Sequence, residues 1–507
     1  MLRPYLPRLR LRAIFGRRPP LAGRRVSTTL DRTADTSLGQ SVGPLLRERP
    51  GLCGIVPLRD GGDAFAARAL LADAAERTLD IRYYIWRNDL SGTLLLDALR
   101  RAAARGVRVR LLLDDNNTPG LDGFLAALIA EPNVEVRLFN PFVYRRWRWL
   151  NYLTDFRRLN RRMHNKSFTA DGQVAIVGGR NVGDEYFDVD LHVDFVDLDV
   201  LAIGPVVAEV CSDFDRYWVS PCAYPAERIL RRLDAAARRD VAAAAAAVSS
   251  DPAAHRYVET LESSPFVQDL LAGRLQYVWA PTRMLSDDPA KGSGTAPEHR
   301  LLLQRLAELV GEARSSFLLV SPYLVPTRAG VHALAALTAR GVAVTALTNA
   351  LESTDIALVH SGYAKRRRQL LDIGLRLFEL KRTLPRPPGG HRRPRGASRS
   401  SLHAKIFAVD GARVFVGSFN FDHRSERLNT EMGFVIESAE LAQTIAAAFA
   451  AVVPATSYAL RPAGRRGVQW LEAGSAGTVV HATEPGTSWR QRLAVRLLSL
   501  LPLDSLL

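Results

Sequence analysis

Two copies of the string His-x-Lys-x4-Asp, each followed by a Gly-rich turn and an asparagine, occupy opposite halves of the 507-residue chain. The first runs from His164 through Lys166 to Asp171 and on to Gly178-Gly179-Arg180-Asn181. The second runs from His403 through Lys405 to Asp410 and on to Gly417-Ser418-Phe419-Asn420. An imidazole can attack phosphorus and can give up a proton near neutral pH, so a matched pair suits displacement at a phosphodiester, one ring as nucleophile and the other as acid. The charge of such a substrate repels nucleophiles. Lys166, Lys405, Asn181 and Asn420 offer cations and hydrogen bonds to its nonbridging oxygens, with the Ser418 hydroxyl added in the second copy. No His-Glu-x-x-His, paired-Cys or Asp-cluster pattern accompanies the strings, so neither metal nor cofactor is expected. The two rings need opposite protonation states, which carboxylates can set. Glu431 is the candidate in the second half and Asp197, ahead of Asp199, in the first. Asp171 and Asp410 each precede a glycine at a hairpin and read as turn formers that support the site.

The elements that must position these residues repeat as well. Leu79–Trp86 and Ala104–Leu113 read as buried strands joined by a helix, and Ser316–Tyr323 and Ala339–Leu347 do the same in the second half. Tyr84 with Tyr323 and His164 with His403 are each 239 residues apart, one frame for two motifs. Strands alternating with helices predict an α/β protein with a mixed sheet flanked by helices in each half. Each motif itself reads as strand, tight turn, strand, which points His403 and Lys405, and equally His164 and Lys166, to one face. The expected divisions are a basic arm over residues 1–50, a first lobe over 51–222, a helical connection over 223–274, a second lobe over 275–460 and an extension with an amphipathic helix over 461–507. Lys381–Ser400, rich in Pro, Gly and Arg, reads as a mobile loop.

The strings resemble the HKD motifs of the phospholipase D superfamily, over about residues 52–507. Tyr83–Trp86, Leu112–Thr118, Arg161–Ser167, Gly178–Asn181, Phe421–Ser425 and Leu428–Met432 are further similar to bacterial cardiolipin synthases of the C type. The resemblance implies two phospholipase D-like lobes related by a pseudo-twofold axis, with both histidines in one cleft. It implies a phospho-histidine intermediate on His164, with His403 as general acid, although the near symmetry of the strings does not itself decide the order. It also implies phosphatidylglycerol as acceptor, with phosphatidylethanolamine or a second phosphatidylglycerol as donor. Gly179 departs from the serine that many superfamily motifs carry, though glycine is usual in the C-type branch.

A net charge of +16 favours a polyanionic partner, either a membrane rich in acidic lipid or nucleic acid. Tyr144–Tyr152 interleaves aromatics with arginines, which suits a bilayer interface and also single-stranded nucleic acid. Trp489–Leu501 has one basic and one apolar face and fits an interfacial helix better, so phospholipid substrates and an anionic membrane surface are the expected partners, without nucleic acid. No stretch approaches the roughly 20 apolar residues of a spanning helix, so a peripheral position on the bacterial inner membrane is expected. Cys53, Cys211 and Cys222 lack metal-ligand spacing and read as idle thiols. Hydrolysis of phospholipids, a nuclease or phosphodiesterase activity, and a catalytically silent membrane module are the competing readings.

Overall fold

Alternation along a strand decides which face meets which neighbour, and here it sorts each half into an outer and an inner apolar layer. The computed structural model describes residues 18–189, 193–382, 399–465, 467–474 and 477–501. In strand Val174–Gly178, Val174 and Ile176 face the helices of the first lobe, whereas Ala175 and Val177 face the second. In strand Arg413–Gly417, Phe415 joins the outer core of its own lobe and Val414 and Val416 meet the first. Ile55, Val200 and Ala202 pack in the same layer against Ala408, Phe434 and Ile436. Burial on both faces explains why these strands are continuous apolar runs in the sequence.

The first sheet has nine strands in the order Val278–Ala280, Cys53–Leu58, Asp199–Ile203, Val174–Gly178, Ser167–Ala170, Thr78–Ile85, Arg108–Asn117, Val134–Phe139 and Ala223–Pro225. The second has ten, in the order Thr282–Ser286, Met432–Glu437, Arg413–Gly417, Ile406–Val409, Ser316–Val320, Ala343–Asn349, Arg376–Leu380, Ser457–Ala463, Gly467–Gly474 and Gly477–His481. From Cys53–Leu58 and Thr282–Ser286 onward the order is the same, with three parallel strands in each lobe and antiparallel neighbours on either side. The protein is thus a mixed α/β fold of two like lobes. The chain changes lobes at Pro281, because Ala280 pairs with Cys53 while Thr282 pairs with Ile436. The strands after Ser457 extend the second sheet rather than leaving it.

Three helices, Ala235–Ser249, Pro252–Glu262 and Pro265–Leu271, cover the outside of the first lobe, each capped by an Asp or Ser side chain. Tyr257 anchors them, packing edge-on to Phe65 with its hydroxyl donating to the Phe187 carbonyl. Residues 18–50 also lie on this lobe. Arg24 donates to the Ser220 carbonyl just past the C-terminus of helix Pro205–Trp218, and the Thr29 N–H donates to Asp215. The remaining arginines of the basic arm, Arg3 to Arg17, and most of the Pro-rich segment, residues 383–398, fall outside the described residues. Helix Ala439–Thr456 is long and apolar enough by composition to cross a membrane, but it buries Leu441, Ala442 and Val453 against the second lobe. The three cysteines are buried and free.

The motif aspartates explain the hairpins. Asp171 and Asp410 adopt φ of 50° and 54° and are each followed by a glycine of positive φ. Asp171 accepts the N–H groups of Glu76, Arg77 and Thr78 at 2.8–3.0 Å, and Asp410 accepts those of Arg314, Ser315 and Ser316 at 2.8–3.1 Å. Each ties its hairpin to the start of the neighbouring parallel strand.

Candidate active site

Lys166 and Lys405 stand immediately ahead of strands Ser167–Ala170 and Ile406–Val409, so regular pairing begins one residue later than the sequence suggests. The backbone before each strand is held by the opposite lobe. The His164 N–H donates to the Thr430 carbonyl, and the Thr430 N–H to the Arg162 carbonyl, both at 2.9 Å. The His403 and Ala404 N–H groups donate to the Val196 carbonyl at 2.9 and 3.0 Å, continuing a short parallel ladder between Val193–Val196 and Arg399–Leu402. Glu431 follows Thr430 and Asp197 follows Val196, so each clamp delivers a carboxylate to the ring across the lobe boundary. His164 Nδ1 lies 2.8 Å from Glu431 Oε2, and His403 Nδ1 lies 2.6 Å from Asp197 Oδ2.

The six residues picked out for catalysis are all buried, at most 6 % exposed. Lys405 acts electrostatically on His164, and Lys166 on His403. Lys166 Nζ donates to the His164 carbonyl at 2.6 Å, and Lys405 Nζ sits 3.0 Å from His403 Nδ1. Asn181 accepts the Ile85 N–H through Oδ1, which leaves its Nδ2 buried without a partner. Asn420 has an unpaired amide oxygen, and turning that amide over presents its NH2 instead. Such groups suit an anion that fills the site.

The supporting residues act through the carboxylates. Glu431 accepts the hydroxyls of Ser418 and Ser425, and its N–H donates to Asp287. Asp197 has no serine beside it. Gly179 stands there instead, and a Cβ at that position would lie 2.1 Å from Asp197 Oδ1. Glycine therefore makes room for the carboxylate of His403. Asp199 is engaged elsewhere, with Arg68 at 2.7 Å and the Arg180 N–H at 3.1 Å. The aromatic walls were not singled out from sequence. The Tyr84 ring lies 4.7 Å from that of His164, and Tyr186 and Phe195 each lie 5.1 Å from that of His403. The shared frame of Tyr84 and Tyr323 was the available signal for the first.

Burial pushes both imidazoles down, His164 to about 4 against the pull of Glu431 and His403 to about 3 with Lys405 adding to the push. Burial likewise lowers Lys405 to about 8 and Lys166 well below its ordinary value. The rings are thus neutral at pH 7, and an anionic phosphodiester between the lysines would draw both pairs back toward their charged forms. The two rings differ in one respect. Nδ1 of His164 faces only acceptors, Glu431 and the Ser418 carbonyl at 3.1 Å, so it carries the proton and leaves Nε2 with a lone pair. Nδ1 of His403 faces one acceptor and one ammonium.

The exposed aromatics ahead of the first motif cluster on the turn Arg148–Leu150 and the helix Asn151–Leu159. Trp149 is 62 % and Leu153 70 % exposed, with Trp147 and Phe156 beside them. Arg145 and Arg148 are held by Asp115 and Asp122 of the lobe, whereas Arg146 and Arg157 are exposed. At the far end of the chain, Trp489, Leu493, Leu497 and Leu500 form an exposed stripe on a helix that buries only Val495.

Among known proteins, the family described as "Cardiolipin synthase, PLD-like domain" matches residues 69–218 and 306–453, one stretch in each lobe. The chain is 50% identical to cardiolipin synthase C of Escherichia coli (strain K12) over 471 residues, which cover 93% of this chain and 99% of that protein. It is 26% identical to cardiolipin synthase A of Pseudomonas entomophila (strain L48), over 74% of this chain and 63% of the relative. The crystal structure of phosphatidylserine synthase from Haemophilus influenzae Rd KW20 shares the fold, with a TM-score of 0.54 at 14% identity over 80% of this chain and 87% of that one.

Proposed function

The chain belongs to the family of cardiolipin synthases with PLD-like domains, and on that footing we propose that it moves a phosphatidyl group from a donor phospholipid through His164 to phosphatidylglycerol, making cardiolipin. The observation that carries the mechanism is the crossed pairing of the two histidines with Glu431 and Asp197. With its Nδ1 proton held by Glu431, His164 attacks phosphorus through Nε2. The N–P bond forms as the bond to the headgroup oxygen breaks, and that oxygen takes a proton from Nε2 of His403. Ethanolamine or glycerol leaves, according to the donor. A hydroxyl of phosphatidylglycerol then gives its proton back to His403 and attacks the same phosphorus, releasing His164.

Lys166, Lys405, Asn181 and Asn420 hold the nonbridging oxygens, in a buried setting where a fixed cation acts more strongly than in water. The role of nucleophile for His164 is supported by its locked tautomer. That of acid for His403 is supported by the downward push of Lys405, which makes the protonated ring the stronger acid. No step calls for a metal.

We place the enzyme peripherally on the bacterial inner membrane, with the exposed Trp149 and Trp489 segments at the interface. The purified protein should convert phosphatidylglycerol vesicles to cardiolipin, and cells lacking other sources should regain it when this chain is supplied. An alkaline quench, in which a P–N bond survives, should leave a phosphatidyl adduct on the peptide containing His164. Release of phosphatidic acid without cardiolipin would make it a hydrolase, DNA cleavage in chelator without lipid turnover would make it a nuclease, and an adduct on His403 would reverse the roles.

A further inference from the structure

Lys291 lies on the short helical turn Pro289–Ser293, far in sequence from both motifs, and is 2 % exposed. Its ammonium donates to Asp287 Oδ2 at 2.9 Å and to the Ser425 carbonyl at 2.8 Å. Asp287, fully buried as well, directly follows strand Thr282–Ser286. It accepts the Leu302 N–H at 2.8 Å through Oδ1 and the Glu431 N–H at 2.9 Å through Oδ2. In return the Asp287 N–H donates to the Glu431 carbonyl at 3.0 Å. Both backbone polar groups of Glu431 are therefore held by Asp287.

The pair reaches the side chain of Glu431 too. Lys291 fixes the carbonyl of Ser425, whose hydroxyl donates to Glu431 Oε1 at 2.7 Å, and Oε2 of the same carboxylate faces His164 Nδ1 at 2.8 Å. The segment is also fastened to the first lobe. Tyr217 donates to the Asp287 carbonyl at 3.0 Å, Asn140 to the Gly292 carbonyl at 2.8 Å and Arg161 to the Lys291 carbonyl at 3.3 Å. Lys291 and Asp287 thus sit where the lobes meet, behind the carboxylate of His164. Asp197, the carboxylate of His403, has other supports: the Leu198 N–H donates to its Oδ1 at 2.8 Å and Arg180 to its carbonyl at 3.0 Å.

We propose that Lys291 and Asp287 are positioning residues, a buried ion pair that sets the Glu431 carboxylate against His164 Nδ1 and so fixes the tautomer of the nucleophile. The inference deepens the transferase reading above and rests on it for its kinetic part. Desolvation offsets most of the attraction within a buried pair, so apolar residues of the same size would fill this space with similar stability. What the pair adds is direction, because each of its hydrogen bonds ends on Glu431 or on a neighbour that holds it. Burial pushes the Asp287 carboxyl up, and Lys291 opposes that push. Without the ammonium the carboxyl takes a proton, and its hold on the Glu431 N–H weakens. A small drift of Glu431 then lets the His164 ring carry its proton on Nε2, the atom that has to attack.

The test uses the full chain with histidine labelled at the ring nitrogens, whose NMR shifts report the tautomer, assigned through His164→Ala and His403→Ala. The variants are Lys291→Met and the double variant Asp287→Asn with Lys291→Met, which leaves no unpaired charge should the single one fail to fold. In both, the His164 nitrogens should shift toward a mixture of tautomers while those of His403 keep their wild-type values. The kcat for cardiolipin formation should fall by about ten- to hundredfold with KM little changed. A wild-type tautomer at His164 in the folded variants, or equal shifts of both rings, would overturn the proposal, because a pair that only stabilises the fold moves neither ring or both alike. A shift confined to His164, in a protein whose wild type transfers nothing, would sustain the positioning role and remove the transferase reading. Cardiolipin formation with the His164 tautomer unmoved in the variants would do the reverse.

Discussion

His164 takes its carboxylate partner, Glu431 at 2.8 Å, from the opposite lobe, and His403 takes Asp197 from the opposite lobe in return. Neither lobe holds a complete ring-and-carboxylate pair, so under the proposed mechanism catalysis depends on the interface. Glu431→Gln and Asp197→Asn preserve shape but remove the charge that fixes each tautomer and stabilises each imidazolium. We expect kcat to fall by about 10²- to 10⁴-fold with KM little changed, measured by cardiolipin formation in vesicles. A loss confined to KM would show that the carboxylates bind lipid instead.

Gly179 and Ser418 occupy equivalent places, yet one makes room for a carboxylate and the other bonds to one. Gly179→Ala would force a Cβ to within 2.1 Å of Asp197 Oδ1 unless the carboxylate moves off His403. A displacement of that kind should lower kcat on the order of 10²-fold, whereas Ser418→Ala, losing one bond to Glu431, should cost less. The NMR titration of the His403 ring should change in the first variant and that of His164 in the second. Full activity of Gly179→Ala would show that the clamp tolerates the methyl group.

Much of this was legible because chemistry and periodicity coincide. The shared frame of His164 and His403 announced two like lobes, and apolar runs bounded by Gly turns announced the strands. The crossing of Asp197 and Glu431 was not legible, because it depends on a ladder between Thr430 and the segment before His164 that joins residues 266 positions apart. The lobe change at Pro281 was hidden for a related reason. Strands Val278–Ala280 and Thr282–Ser286 form one continuous stretch in sequence, and only their partners, Cys53–Leu58 and Met432–Glu437, tell them apart. Nor does the pattern of Tyr144–Tyr152 reveal that Arg145 and Arg148 turn inward to carboxylates.

Under the proposed mechanism the buried lysines should set the alkaline limit. Burial holds Lys405 at about 8, so its ammonium is present below that pH and lost above it. With the cation goes stabilisation of the phosphoryl oxygens, and kcat/KM, which reports the free enzyme, should fall above about pH 8. The limb of kcat should lie higher, since bound phosphodiester favours the charged amine. Lys405→Arg should move the limb out of the measurable range while slowing the reaction, because a planar guanidinium does not replace a compact ammonium. An unchanged limb in that variant would assign it to another group.

Asp171 and Asp410 make the same three backbone bonds in different surroundings. Asp171 is fully buried and its bond to the Thr78 N–H is buried with it, so Asp171→Ala should destabilise the protein by roughly 3 kcal/mol, read by urea unfolding. The N–H groups that Asp410 accepts can reach solvent, and Asp410→Ala should cost roughly 1 kcal/mol. Asp410 is held down at about 2 by those bonds despite the opposing effect of burial, so its contribution is complete above the ordinary carboxylate range and is lost as pH falls toward 2. Equal costs for the two variants would show that solvent does not rescue the second hairpin.

Trp147, Trp149, Leu153 and Phe156 project from the segment just before the first motif, and no described part of the chain covers them. Apolar side chains of this size on a helix beside a lipid-processing cleft suit insertion among acyl chains, with Arg146 and Arg157 free to meet headgroup phosphates. Replacing Trp149 and Leu153 together by serine removes roughly 1 kcal/mol of interfacial burial each and should weaken binding to anionic vesicles by about tenfold or more in flotation assays. Raising salt should weaken the wild type as well, since the arginine contribution is screened while the tryptophan contribution is not. The double variant should still turn over short-chain donor dispersed as monomers, because none of these residues touches the histidines. Unaltered vesicle binding would transfer the membrane contact to the Trp489–Leu500 stripe, which the corresponding serine variants of Trp489 and Leu493 would then reveal.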